Sequence, residues 1–416
     1  MLKLLILADD LTGALDTGVK FSALGIETKV VVARDFDFAS LDSSTRVLVM
    51  DVETRHLASD EAYKIVYEIS KKACAANIPH IMKKTDSALR GNVGSELAAL
   101  YDAAEVHCLS FIPALPGMKR TTQGGVCLID GVPVNESVFG QDPFDPVRHK
   151  FVREIIKEQS DVATVDIPIG AAGSAAADGI LICDAITDDD LLETATALHA
   201  NGALKIMAGC SGLAVALPQV LGMTASNTGG FTKKDRFMVV CGSVNPITGK
   251  QLSHAEERGF KRIRLDPGQK LDGDFWSGDA GTEKSREIFE ICEGSRFIIL
   301  DSNDAGDNTP TLDYGTARGL TIDDIREKVA KSMGEVLKAL LDRGLTAAFL
   351  VTGGDTLMGF MEAIDNHTLN ILAEVAPGCV LSELAYGGKT HYIISKSGGF
   401  GGEDLLPQIA EKIMKD

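Results

Sequence analysis

Short apolar runs rich in β-branched residues alternate with amphipathic helical stretches along the whole chain, and this alternation constrains the fold more than any other feature. Parallel strands need a crossover connection between them, which is usually a helix, so the alternation favours parallel sheets. Helices that follow strands in this way cover both faces of the sheet. We therefore predict an α/β fold of two domains, each a mostly parallel sheet flanked by helices.

The expected elements fall in two series. In the first series, we expect strands at 2–8, 27–33, 46–50, 79–83, 105–112, 162–167, 179–183 and 203–208, and helices at 14–24, 58–76, 92–103, 187–200 and 210–220. In the second series, we expect strands at 236–241, 261–265, 296–300, 346–351 and 390–396, and helices at 246–258, 283–293, 322–343 and 402–415. Residues 122–139 break the alternation, because an Asp130-Gly131 turn between two apolar runs predicts an inserted hairpin.

The length of 416 residues also indicates two domains, since a single core rarely grows beyond about 250–300 residues. Residues 223–235 are poor in large apolar side chains and rich in Gly, Thr, Ser and Lys, which is typical of a linker. We predict domains at 1–222 and 236–416, with the active site in the cleft between them.

The composition excludes several classes of partner. A formal net charge of −18 argues against nucleic acid or an anionic membrane as the main partner. The eight cysteines form no C-x-x-C pair, so we interpret them as buried reduced thiols. No apolar run reaches the roughly 18 residues of a membrane span, and the apolar run that ends at Ala8 is too short for a signal peptide. We predict a cytoplasmic protein with no nucleic-acid or membrane partner.

The first candidate site is the sequence ADDLTGALDTG at 8–18, where the first predicted strand ends. Ligands of open parallel sheets bind at the carboxyl ends of the strands. Adjacent residues of an extended strand point in opposite directions. We therefore expect only one of Asp9 and Asp10 to face a ligand, while the other caps or braces the turn.

A second candidate site, KKTDSALRGNVGSEL at 83–97, follows the predicted strand 79–83. Lysine and arginine favour a carboxylate ligand, and aspartate and serine favour hydroxyl groups. Arg55, just after the strand 46–50, adds a further cation. The side chains of the 83–97 segment that carry this interpretation are Lys83, Lys84, Asp86, Ser87 and Arg90.

Three glycine-rich turns follow strands in the second series, in CGSVNPITGKQL, LVTGGDTL and SKSGGFGGED. None is a P-loop, because the first places Gln251 after Lys250 where a P-loop requires Ser or Thr. Glycines nevertheless let the backbone approach phosphate closely, and a helix N-terminus favours an anion. We predict a nucleotide in the second domain and a polar, anionic small molecule in the first.

Six motifs in this order resemble the four-carbon acid sugar kinases over nearly the whole chain. They are ADDLTGALD, KTDSALRGN, PALPGMKRTTQGG with DGVPVNES after it, GSVNPIT, VTGGDT and KSGGFG. The resemblance implies ATP-dependent phosphorylation of the terminal hydroxyl of D-threonate, D-erythronate or 3-oxo-tetronate. It also implies an acid-sugar domain followed by a nucleotide domain. Ala88 departs from the family pattern, which has Thr there, and this leaves the specific tetronate open.

The resemblance carries site residues over by position, and Arg90 joins them from its place in the second candidate site. For the acid sugar, they are Asp10, Arg55, Lys84, Thr85, Asp86, Ser87 and Arg90. For ATP, they are Ser243, Gly353, Gly354, Asp355, Thr356, Gly398, Gly399 and Gly401. Mg²⁺ is expected to bridge the phosphates, with ligands that the sequence leaves open.

The predicted mechanism needs positioning, charge neutralisation and one proton acceptor. Lys84 and Arg55 are expected to hold the sugar carboxylate. Asp86 is preferred as the base because Lys84 and Arg90 could hold it ionised, and Asp10 is the alternative. Two other classes stay open, an NAD-dependent dehydrogenase of a small hydroxy acid and a non-catalytic acid-sugar sensor. The oligomeric state is also open, with a homodimer as one option.

Overall fold

The structure is a computed structural model that describes residues 1–142, 145–175, 177–225 and 231–415. The chain divides into two units, 1–229 and 230–416, called unit 1 and unit 2 below. The predicted linker 223–235 includes residues 226–230, which lie outside the described residues. The linker and the predicted position of the active site between the domains therefore stay predictions.

Unit 1 follows the first series of expected elements. Its strands are β1 (Leu4–Ala8), β2 (Thr28–Val32), β3 (Val47–Asp51), β4 (His80–Lys84), β5 (Cys108–Ile112), β6 (Arg120–Gln123), β7 (Val126–Ile129), β8 (Val132–Pro133), β9 (Thr164–Ile167), β10 (Gly179–Cys183) and β11 (Ile206–Gly209). Its helices are α1 (Leu11–Ser22), α2 (Ser59–Ala75), α3 (Val93–Ala104), α4 (Val152–Lys157), α5 (Asp188–Ala200) and α6 (Ser211–Val220).

The main sheet of unit 1 is parallel, in the order β2-β3-β1-β4-β11-β5-β10-β9. All five residues of β1 are buried, as a strand covered on both faces requires. Ala8 at the end of β1 pairs with Asp51 on one side and with Lys84 on the other. This register brings the loops after β1, β3 and β4 to one edge of the sheet.

The predicted hairpin is confirmed as part of a separate three-stranded antiparallel sheet, β6-β7-β8. Asp130 and Gly131 have φ values of 51° and 80°, the left-handed conformation of a two-residue hairpin turn. The hairpin is shorter than expected, because Val134–Glu136 forms a 3₁₀ turn. It connects β5 to the rest of unit 1 and carries Arg120 at its first position.

Unit 2 follows the second series. Its strands are β12 (Phe237–Cys241), β13 (Lys261–Arg264), β14 (Phe297–Asp301), β15 (Ala348–Thr352), β16 (Thr368–Ala376), β17 (Cys379–Tyr386) and β18 (Lys389–Lys396). Its helices are α7 (Pro246–Glu257), α8 (Pro267–Leu271), α9 (Asp279–Glu293), α10 (Thr309–Thr316), α11 (Ile322–Asp342), α12 (Gly354–Ala363) and α13 (Leu405–Ile413).

The sheet of unit 2 has the order β13-β14-β12-β15-β18-β17-β16 and is parallel from β13 to β18. Strands β17 and β16 are antiparallel additions that the sequence pattern did not predict. In β16 buried and half-buried residues alternate, so it lacks the continuous apolar run of a parallel strand. Cys241, Thr352 and Lys396 end β12, β15 and β18 at the same edge.

None of the helices in the described parts of the chain is long and apolar enough to cross a membrane. The cytoplasmic location and the homodimer stay predictions.

Candidate active site

Four charged side chains meet at the carboxyl edge of the unit 1 sheet. Arg55, in the loop after β3, donates from Nε to Asp9 Oδ2 and from Nη1 to Asp10 Oδ2, both at 2.7 Å. Lys84 Nζ, at the end of β4, lies 3.6 Å from Asp9 Oδ1 and 3.7 Å from Asp10 Oδ1. The structure brings Arg55, Lys84 and Asp10 together, and their role in binding a substrate stays a prediction.

The expectation that Asp9 and Asp10 diverge is wrong, because both carboxylates contact the same two cations. Asp10 caps α1 by accepting a hydrogen bond from the Gly13 backbone N–H, at 2.9 Å. Its other oxygen remains available to Arg55, and two different nitrogens of one guanidinium reach the two carboxylates. Asp10 therefore caps α1, while the buried Asp9 braces the turn through Arg55 and Lys84, and which of the two faces a ligand stays a prediction.

The charges of this cluster outweigh the effect of burial. Burial alone raises the pKa of Asp9, but the charges of Arg55 and Lys84 hold it well below its usual range. Burial lowers the pKa of Lys84, yet Asp9 and Asp10 raise it above its ordinary value. Asp9 and Lys84 are therefore both ionised at neutral pH.

Gly13 makes room for this arrangement, and sequence reasoning overlooked it. A Cβ atom at this position would lie 2.0 Å from Lys84 Nζ and 2.5 Å from Asp10 Oδ1. The first turn of α1 must therefore lack a side chain here for the ammonium to reach the carboxylates.

Asp86 lies at the same edge in the loop after β4 and accepts four hydrogen bonds. Two come from the backbone N–H groups of Ala88 and Arg90, and two come from the Arg90 guanidinium at 2.9 and 3.2 Å. Burial raises the pKa of Asp86, but the hydrogen bond from Arg90 and the charge of Arg55 lower it to about 2. Asp86 is thus ionised but has little affinity for a proton.

A buried ion pair between Lys83 and Glu96 lies next to these charged side chains. Lys83 Nζ lies 2.9 Å from Glu96 Oε2 in α3 and donates to the Lys84 carbonyl at 2.8 Å. Glu96 also accepts a hydrogen bond from Thr54, which precedes Arg55. The network therefore connects the loops that carry Arg55 and Lys84. Lys83 and Lys84 are adjacent in a strand, so their side chains point to opposite faces of the sheet. This alternation could have indicated from the sequence that the two lysines have different partners.

Thr85 and Ser87 complete the predicted set in unit 1. The Thr85 hydroxyl is buried and has no hydrogen-bond partner within the described residues. Ser87 accepts a hydrogen bond from Arg120 of the inserted hairpin. A buried hydroxyl without a partner is costly unless a ligand or water satisfies it.

The carboxyl edge of the unit 2 sheet is built from backbone more than from charged side chains. Ser243 follows β12, Gly353 follows β15, and Gly398 follows β18. A Cβ atom on Gly398 would lie 2.7 Å from Ser243 Oγ, and one on Gly353 would lie 3.1 Å from Thr356 Oγ1. Gly353 also has a φ of 105°, which disfavours any side chain. The structure therefore brings these predicted residues together, and their role in binding a nucleotide stays a prediction.

The remaining predicted residues of unit 2 lie around this group. Gly399 stands near Asn245, and Gly401 has a φ of 87° before α13. Gly354 and Asp355 are exposed at the first turn of α12. The Asp355 side chain is 61% exposed and lies 3.4 Å from Arg326.

Two side chains that sequence reasoning missed hold the loop after β18. Gln251 Nε2 donates to the carbonyls of Phe400, Gly401 and Gly402, at 2.9–3.1 Å. Lys396 Nζ donates to the carbonyls of Ser397 and Gly398, at 3.0 and 3.3 Å.

Lys396 is 3% exposed, and among the described residues no carboxylate forms an ion pair with it. Burial lowers the pKa of this ammonium, because no neighbouring carboxylate offsets the loss of hydration. The edge of unit 2 therefore contains a buried lysine that, among the described residues, contacts carbonyl oxygens but no carboxylate.

Two family comparisons divide the chain in the same way as its structure. Residues 4–217 match the sequence model of a sugar-binding N-terminal domain. Residues 238–406 match the model of a nucleotide-binding C-terminal domain. The predicted linker 223–235 falls between the two matches.

Several characterised relatives are similar over nearly their full length. D-threonate kinase of Salmonella typhimurium LT2 is 27% identical, and the match covers 97% of each chain. D-erythronate kinase of Heliobacterium modesticaldum is 26% identical, covering 97% of this chain and 95% of the relative. 3-Oxo-tetronate kinase of Methylobacterium radiotolerans is 25% identical, covering 96% of each.

Solved structures share the fold. A Salmonella typhimurium LT2 protein, provisionally described as a tRNA synthase, superposes with a TM-score of 0.83 over 100% of both chains at 19% identity. The Haemophilus influenzae protein HI1011 gives a TM-score of 0.74 over 99% of this chain and 100% of its own, also at 19% identity. The two domain matches and the ordered motifs agree, and the chain therefore belongs to the family of four-carbon acid sugar kinases.

Proposed function

We propose that this protein uses ATP to phosphorylate the terminal hydroxyl of a four-carbon acid sugar, with the sugar held by unit 1 and the nucleotide by unit 2. The observation that carries the proposal is the contrast between the two sheet edges. Unit 1 offers aspartates, hydroxyls and cations, which suit a small polyhydroxy acid. Unit 2 offers three glycines close to Ser243 and Thr356, namely Gly242, Gly353 and Gly398, called the glycine cradle below. Together with Lys396, which has no carboxylate partner among the described residues, the cradle suits a phosphate chain.

In unit 1, the sugar hydroxyls are bound by Asp10, Thr85 and Ser87. The Asp10 side chain is 25% exposed, so it is open to a ligand while Arg55 keeps it oriented. The unsatisfied hydroxyl of Thr85 gains a partner when the sugar is present. Arg55 and Lys84 serve chiefly to hold the carboxylates of Asp9 and Asp10 in place, because their charges are already engaged by these two side chains.

In unit 2, the phosphates lie against the turns at Ser243, Gly353 and Gly398. Backbone N–H groups at the start of α12 and the dipole of that helix favour the negative charge. Lys396 contributes the positive charge from the end of β18. Gln251 fixes the shape of the loop after β18 through its hydrogen bonds to the Phe400 and Gly401 carbonyls.

A magnesium ion fits this arrangement as a partner of the nucleotide. The described residues contain no group of three or more His, Cys, Asp or Glu side chains able to hold a metal by themselves. Mg²⁺ keeps several waters and is usually held by substrate phosphates with one or two carboxylates. Asp355, at the first turn of α12, is the carboxylate that would assist, and the ion would neutralise phosphate charge.

The reaction itself asks for little covalent chemistry from the protein. The terminal hydroxyl oxygen of the sugar attacks the γ-phosphorus, the bond to the bridging oxygen breaks, and ADP leaves. The hydroxyl proton passes to a carboxylate. We assign this role to Asp10, because the four hydrogen bonds on Asp86 and its pKa of about 2 make it a weak base. Asp86 then positions Arg90, which reverses the preference drawn from the sequence.

An assay of ADP release across D-threonate, D-erythronate and 3-oxo-tetronates tests the proposal. We expect ADP release with at least one of them, in step with the appearance of a sugar phosphate. Binding of a tetronate without turnover would instead indicate a sensor. Reduction of NAD by a tetronate, followed at the NADH absorbance band, would indicate a dehydrogenase.

A further inference from the structure

The cations at the unit 1 edge differ in how far their charges are already engaged. Arg55 and Lys84 pair with Asp9 and Asp10. Arg90 binds Asp86 and also lies 3.6 Å from Asp142. All three of these cations therefore have carboxylate partners. A substrate carboxylate that approached these side chains would compete with aspartates that are already in place.

Arg120 is the exception. It opens β6 in the inserted hairpin and donates from Nη1 to the hydroxyl of Ser87. Within the described ranges, no aspartate or glutamate forms an ion pair with its guanidinium. No further acceptor there binds its remaining side-chain N–H groups. A guanidinium has five such donors in a planar fork that matches a carboxylate, so most of its capacity is unused.

Phe139 holds this guanidinium in place beside the predicted site. The Arg120 and Arg90 guanidinium carbons each lie 5.1 Å from the centroid of the Phe139 ring. Stacking on an aromatic face fixes the plane of a guanidinium and partly desolvates it. Arg120 is half-buried, so its charge is weakly screened while one side stays accessible.

We infer that Arg120 binds the carboxylate of the acid sugar and so selects acids over neutral polyols. This inference rests on the proposed function and deepens it. Since Arg120 donates to Ser87 in the loop after β4, the acid end of the substrate lies near Ser87 in this arrangement. The role expected for Arg55 and Lys84 from the sequence passes to a residue of the inserted hairpin.

The test compares a tetronate with its uncharged amide, using titration calorimetry on the wild type, Arg120→Gln and Arg153→Gln. Arg153 is the matched control, because it pairs with Asp166 and stacks on Phe151 in the same unit. We expect Arg120→Gln to weaken tetronate binding by about 10- to 100-fold, the span for losing a hydrogen bond to a charged group. Binding of the amide should change by less than about threefold, and the control should match the wild type for both ligands.

A conservative variant separates charge from geometry. Arg120→Lys keeps the charge but lacks the fork, so we expect it to recover only part of the preference for the acid over the amide. Far-UV circular dichroism and urea unfolding of each variant check that unit 1 is folded, and if Arg120→Gln fails this check, Arg120→Lys alone decides by its loss of that preference. A folded variant that binds tetronate as tightly as the wild type, or loses the amide equally, would overturn the inference. A wild type that binds no tetronate would refute the proposed function instead.

Discussion

The two units differ in how the positive charges at their sheet edges are paired with carboxylates. At the edge of unit 1, cations and carboxylates neutralise one another, as Arg55 and Lys84 do with Asp9 and Asp10. At the edge of unit 2, Lys396 donates to the backbone carbonyls of Ser397 and Gly398, and its ammonium has no carboxylate partner in the described part of the chain. The paired charges of unit 1 can orient hydroxyls and a proton acceptor. A buried charge without a partner, as in unit 2, is stabilised when an anionic ligand binds beside it.

This difference suits the two ligands we propose. A small polyhydroxy acid carries one charge and several hydroxyls, so recognition depends on direction. A nucleotide carries several phosphate charges, so recognition depends on backbone N–H groups and positive potential. The comparison can be broken by variants that act on one unit and leave the other as a control.

The largest effect should come from the proton acceptor in unit 1. Asp10→Asn keeps the cap of α1, since asparagine caps as well as aspartate, but removes the base. We expect kcat to fall by about 10²–10⁴, the usual span for lost acid–base catalysis. Asp86→Asn should act mainly through Arg90 and raise KM for the sugar. ADP-release kinetics would return the role to Asp86 if its variant showed the larger loss of kcat.

The second effect is on the free energy of unfolding, and removing a lysine should affect it more in unit 1 than in unit 2. Lys84→Met leaves Asp9 buried without one of its cations and should lower the free energy of unfolding by about 3–5 kcal/mol. Lys396→Met removes a charge that has no carboxylate partner in the described residues, but leaves the Ser397 and Gly398 carbonyls without this donor, so it should lower that free energy by only about 1–3 kcal/mol. Urea unfolding followed by far-UV circular dichroism checks both.

Trp276 fluorescence gives unit 2 its own signal in the same experiment, because the only tryptophan of the chain lies there. Equal destabilisation by Lys84→Met and Lys396→Met would contradict the contrast between a balanced and an unbalanced edge.

The smallest effect concerns the glycine cradle. A Cβ atom on Gly242 would lie 1.9 Å from Thr356 Oγ1, whereas one on Gly249 in α7 meets no atom within 4 Å. Gly242→Ala should raise KM for ATP by about tenfold, equivalent to about 1.4 kcal/mol. Gly249→Ala is the matched control and should leave KM unchanged while strengthening α7. The same KM shift in both variants would mean that Gly242 has no special place in the site.

How much the sequence could predict differs between fold and site. Central parallel strands such as β1 and β12 were predictable, because each is a continuous apolar run that both faces of the sheet bury. Strand β16 was not, since it interleaves buried and half-buried residues, and β17, although its first four residues are buried, was not predicted either. Short helices such as α8 lack enough residues to show a helical period.

In the site, residues within one motif were predictable and contacts between motifs were not. Arg55 and Asp9 are 46 positions apart, so their contact depends on the register of β1 and β3. Gly13 matters only because Lys84 crosses over it from β4. Lys396 lies within the motif KSGGFG, but its importance depends on the lack of a carboxylate partner among the described residues, which is a property of the fold.

Separate occupation of the two units by the two ligands is the central claim, and titration calorimetry of crossed variants tests it most directly. Arg55→Lys keeps the charge but loses the bridge between Asp9 and Asp10, so it should weaken tetronate binding by about tenfold or more and leave ADP binding unchanged. Lys396→Met should weaken ADP binding to a similar degree and leave tetronate binding unchanged. Loss of ADP binding in Arg55→Lys, or of tetronate binding in Lys396→Met, in a folded protein would contradict the claim.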